Sequence, residues 1–259
     1  MTGTTQTPIH QLRVATCNIH KGMSIFNRRV VIHALRDQLR ALDADIVFLQ
    51  EVAGRHDANA RRHGSWPGGP QHEFLADLGW EEHAYGRNAV YDGGDHGNAV
   101  LSRYPILRWE NQDVSSHRFE SRGLLHCEIE IAGWRVPLHC VCVHLALHAR
   151  GRSRQLERLR QRIERLVPAD APLIVAGDFN DWHWRHRATH EFAHPLNMQE
   201  VFEAEGGRPA RSYPALLPFL CLDRIYVRGF QVCQAHVQHR SGWRLSSDHR
   251  ALTCDLNLL

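Results

Sequence analysis

Two polar side chains follow a short apolar stretch in the segment PLIVAGDFN, residues 172–180. Residues 173–176 have the composition of a buried strand, and Gly177 leads directly into Asp178, with Asn180 two residues further on. A carboxylate at the mouth of a buried strand must be hydrated, paired or bound to a cation. Asp and Asn two residues apart project to the same side if the extended backbone continues. A plain turn is the alternative, because Asp, Asn and Gly are common turn formers.

Other apolar runs of the chain also meet a polar side chain that suits a metal ion or a phosphate. These side chains are Asn18, Glu51, His144, Asp223 and the adjacent pair Asp248 and His249. Each of them alone is compatible with a turn, a hydrated surface or a hydrogen-bonded core histidine. Their joint occurrence favours a functional interpretation. One pole of a sheet sandwich would gather them into a single acidic pocket that contains histidine.

The elements that must position these residues are mostly strands. Apolar runs predict strands at 13–19, 45–52, 98–106, 124–131, 136–145, 172–179, 221–229 and 249–256. Several of these runs are continuously apolar, which indicates strands that are covered on both faces. Apolar spacings of three and four predict two helices, at 27–42 and 153–167. This pattern favours one α/β domain of two packed sheets with helices outside.

The second predicted helix carries an arginine-rich face opposite its apolar stripe. The arginines are Arg154, Arg158, Arg160, Arg162 and Arg165. A stripe that binds nucleic acid is one interpretation. The interspersed Glu157 and Glu164 favour a solvated surface face instead.

The composition is that of a globular protein without an obvious membrane or secretory segment. The chain has 259 residues, 43% of them apolar, and a net charge of +3 with neutral histidines. Its seven cysteines include no CxxC pair, which argues against zinc and for a reducing compartment. The first residues have no apolar h-region, and no apolar run approaches the roughly 20 residues of a transmembrane segment. We therefore expect a soluble, cytoplasmic protein.

Seven motifs of the chain, taken in order, resemble the endonuclease/exonuclease/phosphatase superfamily, which includes DNase I. They are CNIHKG, LQEV, GNAVLSRYP, VHL, GDFN, LDRIYV and SDH. The resemblance runs from about Arg13 to Leu256 and is closest to a small bacterial branch. It implies a four-layer α/β/β/α sandwich, with two packed, mostly antiparallel sheets flanked by helices. It also implies divalent-metal-dependent cleavage of a phosphoester. We expect a single catalytic domain at 13–259 after a flexible N-terminus at 1–12.

The resemblance implies a metal site at three of the strand ends. Glu51 is the main expected ligand, and Asn18 and Asp248 complete or support the site. Mg²⁺ is the expected ion and Mn²⁺ the alternative, since magnesium prefers oxygen ligands and keeps several waters.

The resemblance also assigns the catalytic groups. Asp178 would orient or deprotonate the attacking water, while Asn180 would hold the phosphate or the water in line. His249 is the other candidate base, and Asp223 would fix its ring and raise its basicity. His144 would contact a nonbridging oxygen or protonate the leaving group. The choice between Asp178 and the His249–Asp223 pair as the base stays open.

Three further residues are candidates for substrate binding. Lys21 would line the pocket, and Asn98 and Arg122 would contact phosphate, since arginine suits phosphate geometry. The alternatives are a solvated loop for Lys21 and a surface salt bridge for Arg122. A second metal cluster is conceivable from spacing alone at His183, His186, His190 and His194. With no carboxylate or cysteine in register, we favour a surface loop and helix there.

Three functions are compatible with these residues. The first is a phosphodiesterase or nuclease, whose partner would be a phosphodiester substrate such as DNA. The second is a phosphodiesterase or phosphatase that acts on a lipid head group or another small phosphoester. The third is an inactive binding scaffold, which is disfavoured because every expected catalytic residue type is present. No obligate protein partner is evident from the sequence.

Overall fold

The computed structural model describes residues 11–77, 79–182, 187–239 and 242–259. The strands of this part of the chain are β1 (Gln11–Asn18), β2 (Ile46–His56), β3 (Glu82–Tyr91), β4 (Gly94–Ser102), β5 (Ile106–Asp113), β6 (Gly123–Ile129), β7 (Leu138–His144), β8 (Leu173–Asp178), β9 (Gln199–Glu200), β10 (Asp223–Arg228), β11 (Phe230–Val237) and β12 (Leu252–Leu258). The helices are α1 (Ile32–Ala41), α2 (Asp57–Arg62), α3 (Gln71–Ala76), α4 (Ala149–Leu166), α5 (Arg187–Ala193), α6 (Val201–Gly206) and α7 (Trp243–Ser246). Two 3₁₀ helices lie at His20–Gly22 and His194–Leu196.

The strands form two six-stranded sheets, each with a parallel pair at its centre. The first sheet has the order β11-β12-β1-β2-β4-β3, in which β1 and β2 are parallel. The second has the order β5-β6-β7-β8-β10-β9, in which β7 and β8 are parallel. All other neighbouring strands are antiparallel. The predicted pair of mostly antiparallel sheets is therefore confirmed.

Alternate side chains of the central strands enter two different cores, which explains their continuously apolar sequences. In β2, Phe48 packs between the sheets, whereas Val47 and Leu49 pack under α1 and α3. In β8, Ile174 packs between the sheets and Val175 packs under α4. A strand covered on both faces needs apolar residues at every position. The four-layer α/β/β/α prediction is confirmed by these three cores.

The two predicted helices exist, and their apolar stripes face the sheets. In α1, Ile32, Leu35 and Leu39 are buried, and α4 buries its own stripe at Leu156, Leu159 and Ile163. The helix α1 begins five residues after the predicted start, and α4 begins four residues before it.

The arginine face of α4 is smaller than the sequence predicts. Arg162 was expected among the solvated arginines, but its side chain is buried and donates to Gln112 and Glu110 of β5. Arg160 remains on the surface, where it pairs with Glu157 and Glu164. Ion pairs within the protein thus occupy two of the five arginines.

The strands that the sequence pattern missed lie at the sheet edges. β3 and β11 are the outer strands of the first sheet, and β5 and β9 are those of the second. Most positions of β3 and β5 are exposed or half-buried. An edge strand with little burial carries no apolar run, so its sequence gives little periodic signal.

The predicted flexible N-terminus at 1–12 falls mostly outside the described residues, and β1 begins at Gln11. The single domain at 13–259 stays a prediction. Among the described residues, no helix is long and apolar enough to cross a membrane.

Candidate active site

Strand ends from both sheets meet at one pole of the sandwich. Asn18 ends β1, while His144 and Asp178 end the parallel strands β7 and β8. Because β10 is antiparallel to β8, its first residue, Asp223, lies directly beside Asp178. Because β12 is antiparallel to β1, the segment before it returns His249 to the same pole. The predicted gathering of strand ends follows from this topology.

Glu51 reaches the site through an irregularity in β2. The pairing of β2 with β4 shifts register between Leu49 and Val52, and Glu51 itself has a φ of 55°. A non-glycine residue with a left-handed backbone costs free energy, and bulges re-aim side chains next to active sites. The carboxylate of Glu51 is thereby directed into the cavity that Asn18 and Asp178 also line.

The GDFN segment forms a close backbone contact and a local turn. Gly177 has a φ of 146°, and a Cβ at this position would lie 2.0 Å from the Val143 carbonyl oxygen. Only glycine fits this conformation and this approach of β8 to β7. Asn180 donates its backbone N–H to Asp178 Oδ1 over 2.9 Å and its side-chain amide to the Leu145 carbonyl over 2.9 Å. The segment therefore forms the turn that its composition allowed, and it also places Asp178 and Asn180 in the lining of the cavity. The functional roles of these two residues stay predictions.

Asp178 is the buried centre of the site. Its Oδ2 accepts a hydrogen bond from Asn18 Nδ2 at 3.2 Å. The same oxygen lies 3.6 Å from His144 Nε2 and 3.8 Å from His249 Nε2. Burial raises the pKa of Asp178 above its ordinary value, although the charges of His249 and His144 oppose this shift. The Asp178 carboxylate thus faces three nitrogen groups, and its own affinity for a proton is raised.

His249 and Asp223 form a buried acid–histidine pair. His249 Nδ1 lies 2.8 Å from Asp223 Oδ2, and the ring of Tyr213 packs against His249 at 4.9 Å. Burial lowers the pKa of His249, but the negative charges of Asp223 and Asp178 outweigh it and raise the pKa to about 10. In the absence of a metal ion, His249 is therefore an imidazolium at neutral pH.

His144 has the opposite charge state. Burial, together with the positive charge of Arg122, lowers the pKa of His144 to about 4. Its ring is therefore neutral at neutral pH and offers a hydrogen bond rather than a proton. His144 and His249 both face Asp178, but at neutral pH the ring of His144 is neutral and the ring of His249 is protonated.

The oxygen donors at the site fit a divalent metal ion. Glu51 and Asp248 line the same cavity. Burial opposes ionisation of Asp248, but the hydrogen bond to His20 and the charge of His249 keep its pKa below the ordinary value. Lys21 Nζ lies 2.7 Å from Glu51 Oε2, so this carboxylate already attracts a cation. Burial opposes ionisation of Glu51, but the charges of His144 and Lys21 keep its pKa below the ordinary value. Because His144 is neutral at neutral pH, we attribute this ionisation to Lys21.

A second set of donor atoms lies at the same pole. Asp178, Asp223 and His249 also have donor atoms within 4.8 Å of one another. The His249 ring already bonds Asp223 through Nδ1. The roles of this trio in proton chemistry, and of Glu51, Asp248 and Asn18 as metal ligands, stay predictions. Carboxylate and amide oxygens are the ligands that magnesium and manganese prefer.

The predicted substrate-binding residues have three different placements. Arg122 lines the cavity, and its Nε donates to the Leu145 carbonyl at 3.1 Å. Lys21 reaches the site through Glu51. Asn98 is fully buried and donates to the carbonyl oxygens of Gly123 and Cys142, so it joins the two sheets and does not line the cavity. A contact of these residues with substrate stays a prediction.

The cavity has a volume of about 310 Å³. Its lining consists of Asn18, Glu51, Arg122, His144, Leu147, Asp178, Asn180, Trp182, Tyr213, Leu220, Leu222, Asp248 and His249. Four apolar or aromatic residues of this set, Leu147, Tyr213, Leu220 and Leu222, carried no functional signal in the sequence. Leucines in loops are too common to indicate a site on their own.

Two residues of α4, Arg152 and Gln155, bind the backbone of a catalytic loop, and the sequence did not predict this role. We call this pair the clamp. Gln155 Oε1 accepts the Ala146 N–H at 2.7 Å, and Arg152 donates to the Ala146 carbonyl at 3.2 Å. Arg152 also lies 3.4 Å from Asp181 in a buried ion pair. Both α4 residues resemble ordinary surface helix residues in sequence. The clamp joins the segments that follow His144 and Asn180.

The histidine-rich segment after the GDFN motif contributes no described group to the site. His183 and His186 lie outside the described residues. His190 is in α5, and His194 begins a 3₁₀ helix. Another group, which we call the outer cluster, consists of His126, Glu128 and His139 on β6 and β7. This cluster is not among the residues that line the active-site cavity.

Comparisons with known proteins identify the family of the chain. Residues 15–249 match the model of the Endonuclease/Exonuclease/phosphatase family. The chain is 45% identical to the uncharacterised protein YbhP of Escherichia coli strain K12, over 98% of this chain and 99% of that protein.

Solved structures share the fold at low sequence identity. An endonuclease/exonuclease/phosphatase from Beutenbergia cavernae has a TM-score of 0.76 at 22% identity and covers 96% of this chain and 72% of its own. The TDP2 protein of D. rerio, in complex with a single-strand DNA product, has a TM-score of 0.69 at 18% identity, with coverage of 95% and 99%. On the family match across most of its length, this chain belongs to the Endonuclease/Exonuclease/phosphatase family.

Proposed function

We propose that this protein is a divalent-metal-dependent phosphodiesterase that cleaves its substrate with an activated water. Family membership supports a phosphoric ester hydrolase. The observation that carries the finer proposal is the placement of Asp178. Its Oδ2 faces Asn18, His144 and His249, and the cavity beside it also holds the carboxylates of Glu51 and Asp248.

Glu51, Asp248 and Asn18 would hold the metal ion, with Mg²⁺ as the proposed ion and Mn²⁺ as the alternative. When bound, the ion would neutralise charge on the phosphate and stabilise the developing oxyanion. Asn18 is fixed for this role because its Oδ1 accepts the His20 N–H at 3.1 Å and its backbone carbonyl accepts from Ser247 at 2.6 Å. Lys21 holds Glu51 in its ionised form.

Asp178 is the proposed proton acceptor. Its raised pKa brings its basicity closer to that required of a general base, and a water beside Oδ2 would lie among the amide and imidazole groups that face it. As the water attacks phosphorus, one O–H proton passes to Asp178 and the ester P–O bond breaks. Asn180 keeps the carboxylate in place through the bond from its backbone N–H to Oδ1.

His249 is the proposed cationic group rather than the base. With a pKa of about 10, its ring is already protonated at neutral pH and has little capacity to accept a second proton. The imidazolium would stabilise negative charge on the phosphate and supply a proton to the leaving oxygen. Asp223 holds the ring through Nδ1. The neutral ring of His144 would donate a hydrogen bond to a nonbridging oxygen.

Nucleic acid is one substrate class to test, and the TDP2 complex with DNA is a precedent in the same fold. The pairing of Arg160 and Arg162 within the protein removes part of the support that the α4 arginines gave to this class. Lipid head groups and other small phosphoesters are the alternative. A cytoplasmic location is part of the proposal, and the seven free cysteines support a reducing compartment.

The test is hydrolysis of bis-p-nitrophenyl phosphate, plasmid DNA, an abasic-site duplex, single-stranded DNA and phospholipids, with Mg²⁺, Mn²⁺ or EDTA. We expect turnover with either metal and none in EDTA. Asp178→Asn should remove turnover, and Glu51→Gln should raise the metal concentration for half-maximal rate by about tenfold or more. Turnover that persists in EDTA and in Asp178→Asn would contradict the proposal.

A further inference from the structure

Six large exposed apolar side chains lie on the chain segments that line the active-site cavity. Phe119 is 81% exposed, Leu147 58%, Trp182 54%, and Leu216, Leu217 and Phe219 are 56%, 78% and 62% exposed. We call this set the apolar rim. Single exposed apolar residues are ordinary on protein surfaces, but a group of them on the segments of one site indicates an interaction surface.

The rim belongs to the same segments that line the cavity. Leu147 and Trp182 are themselves lining residues, and Trp182 Nε1 donates to the Leu147 carbonyl at 3.2 Å. Phe119 lies three residues before the lining residue Arg122. Leu216, Leu217 and Phe219 lie between the lining residues Tyr213 and Leu220. The exposed side chains therefore belong to the segments that form the cavity.

The turn that carries Leu216, Leu217 and Phe219 is fixed by backbone hydrogen bonds. Phe219 and Leu220 both donate to the Tyr213 carbonyl at 2.9 Å, and Ala215 donates to the Asp248 carbonyl at 2.7 Å. This turn is thus bonded directly to the backbone of a proposed metal ligand. The side chains of Leu216, Leu217 and Phe219 are therefore exposed, while the backbone of their turn is hydrogen-bonded to residues that line the cavity.

Exposed charges on the rim segments are positive. Arg118, Arg150 and Arg211 are exposed, and the Arg118 guanidinium lies 4.5 Å from the ring centre of Phe119. The acidic side chains of the same segments, Glu120 and Asp181, already have partners within the protein. Glu120 accepts from Gln155, and Asp181 is buried beside Arg152. A surface that combines apolar side chains with exposed arginines complements an anionic lipid interface.

The composition of the rim favours lipid over nucleic acid. Three of its six members are leucines, which offer no flat face for stacking on a base. Arg122 is the one arginine among the described residues that line the cavity. A groove for a nucleic-acid strand requires a row of cations along the phosphates. Leu, Phe and Trp side chains are those that enter the interface of a bilayer.

We infer that the apolar rim docks on an anionic phospholipid surface, and that the substrate is a phosphodiester displayed at that surface. The second part of this inference rests on the proposed function. With the rim in the interface, the cavity would open toward the head groups. A phosphodiester would enter it while the acyl chains stay in the bilayer.

The docking is tested by sedimentation with vesicles of phosphatidylglycerol and phosphatidylcholine in EDTA, so that catalysis plays no part. The rim variant is Leu216→Ser/Leu217→Ser/Phe219→Ser. The matched control is Leu107→Ser/Val136→Ser/Leu259→Ser, which removes exposed apolar side chains at the opposite ends of β5, β7 and β12. We expect the wild type and the control to sediment, and the rim variant to lose affinity by about tenfold or more.

The substrate class is tested with Mg²⁺ on the same three proteins. The rim variant should hydrolyse a phospholipid phosphodiester in vesicles about tenfold more slowly than the control, while its turnover of bis-p-nitrophenyl phosphate stays within about twofold. Equal loss on both substrates would overturn the assignment of the rim to surface docking.

Other outcomes separate the two proposals. A wild type that does not sediment, or a rim variant that sediments as well as the control, overturns the docking. Loss of single-stranded DNA binding in the rim variant, without vesicle binding in the wild type, would assign the rim to nucleic acid. Vesicle binding through the rim without turnover of any phosphoester would refute the proposed function and the substrate class but leave the docking established.

Discussion

The active-site trio and the outer cluster combine histidine and carboxylate at similar spacing but have opposite electrostatics. In both, the three candidate donor atoms lie within 4.8 Å of one another. At the active site, His249 bonds the carboxylate of Asp223 at 2.8 Å. In the outer cluster, His126 bonds the ring of His139 at 3.0 Å, while Glu128 pairs with Arg108 on the surface.

These different partners reverse the effect of burial. Burial lowers the pKa of both His249 and His126, since it disfavours the charged ring. The negative charges of Asp223 and Asp178 overcome burial and raise the pKa of His249 to about 10. His139 offers no negative charge, and the pKa of His126 falls to about 4. Spacing alone therefore does not make a reactive histidine, and an unneutralised buried carboxylate beside it is required.

The largest expected difference between the clusters is in catalysis. Asp178→Asn should lower kcat/KM for bis-p-nitrophenyl phosphate by about 10³- to 10⁴-fold, because the proposed proton acceptor is lost. The matched substitution in the outer cluster, Glu128→Gln, should leave kcat/KM within about twofold. Steady-state kinetics at saturating Mg²⁺ measures both. A similar loss in the two variants would show that the outer cluster takes part in function or in folding of the site.

The next effect concerns the buried carboxylate of the active-site pair. Asp223→Asn should lower kcat/KM by about 10²- to 10³-fold and lower the pKa of His249, because the charge that favours the imidazolium is removed. NMR titration of the histidine rings in EDTA measures this pKa. The pKa of His126 should not move in this variant. If the pKa of His249 stays raised in Asp223→Asn, the charge of Asp223 is not the cause of that shift.

The same pair predicts a pH dependence of stability. The folded pKa of His249, about 10, lies above the ordinary value of 6.5, so its contribution is fully present below pH 6.5. That contribution is lost as the pH rises toward 10. In EDTA, the free energy of unfolding should fall less over this window in Asp223→Asn than in the wild type. Urea unfolding at several pH values provides the measurement.

The outer cluster should show the opposite pH dependence. Between pH 6.5 and 4, the unfolded chain protonates His126 but the folded chain does not, since the folded pKa is about 4. The free energy of unfolding should therefore decrease as the pH falls through this window, by up to about 3 kcal/mol. His126→Gln should have a shallower slope in acid urea titrations, whatever its stability at neutral pH. An unchanged slope would refute the lowered pKa.

The smallest expected effect concerns the arginines beside the two clusters. Arg122→Gln should raise KM for a phosphodiester by about tenfold with a smaller change in kcat, because the guanidinium that lines the cavity is proposed to bind phosphate. Arg108→Gln removes an exposed arginine beside the outer cluster and should change neither constant by more than about twofold. If kcat falls in Arg122→Gln while KM is constant, Arg122 acts on the transition state instead.

Much of the fold was predictable because its central strands are buried on both faces. The runs that became β1, β2, β7, β8 and β10 are continuous stretches of apolar residues, and a strand between two cores needs such a stretch. The edge strands β3, β5 and β11 were not predictable from the same pattern. Their partial exposure permits polar residues at most positions, so their sequences lack a distinct period.

Candidate site residues were predictable for a related reason. Asn18, Glu51, Asp178 and His249 are polar residues at the ends of apolar runs, and together with their order along the chain they indicated a single pocket. Arg152 and Gln155 were not predictable in this way. They lie in an amphipathic helix, and only the packing of α4 against the catalytic loops directs them to the Ala146 backbone.

The sequence by itself determined the identity of the polar groups and the central strands, because these depend on local composition and on burial. The four-layer arrangement was implied by the resemblance of its motifs to a known family. Only the tertiary structure decided the charge of each group. His144 and His249 are both histidines at strand ends, yet one is neutral and the other is cationic at neutral pH. A pKa depends on burial and on the charges within a few ångströms, and those charges come from residues far apart in the chain.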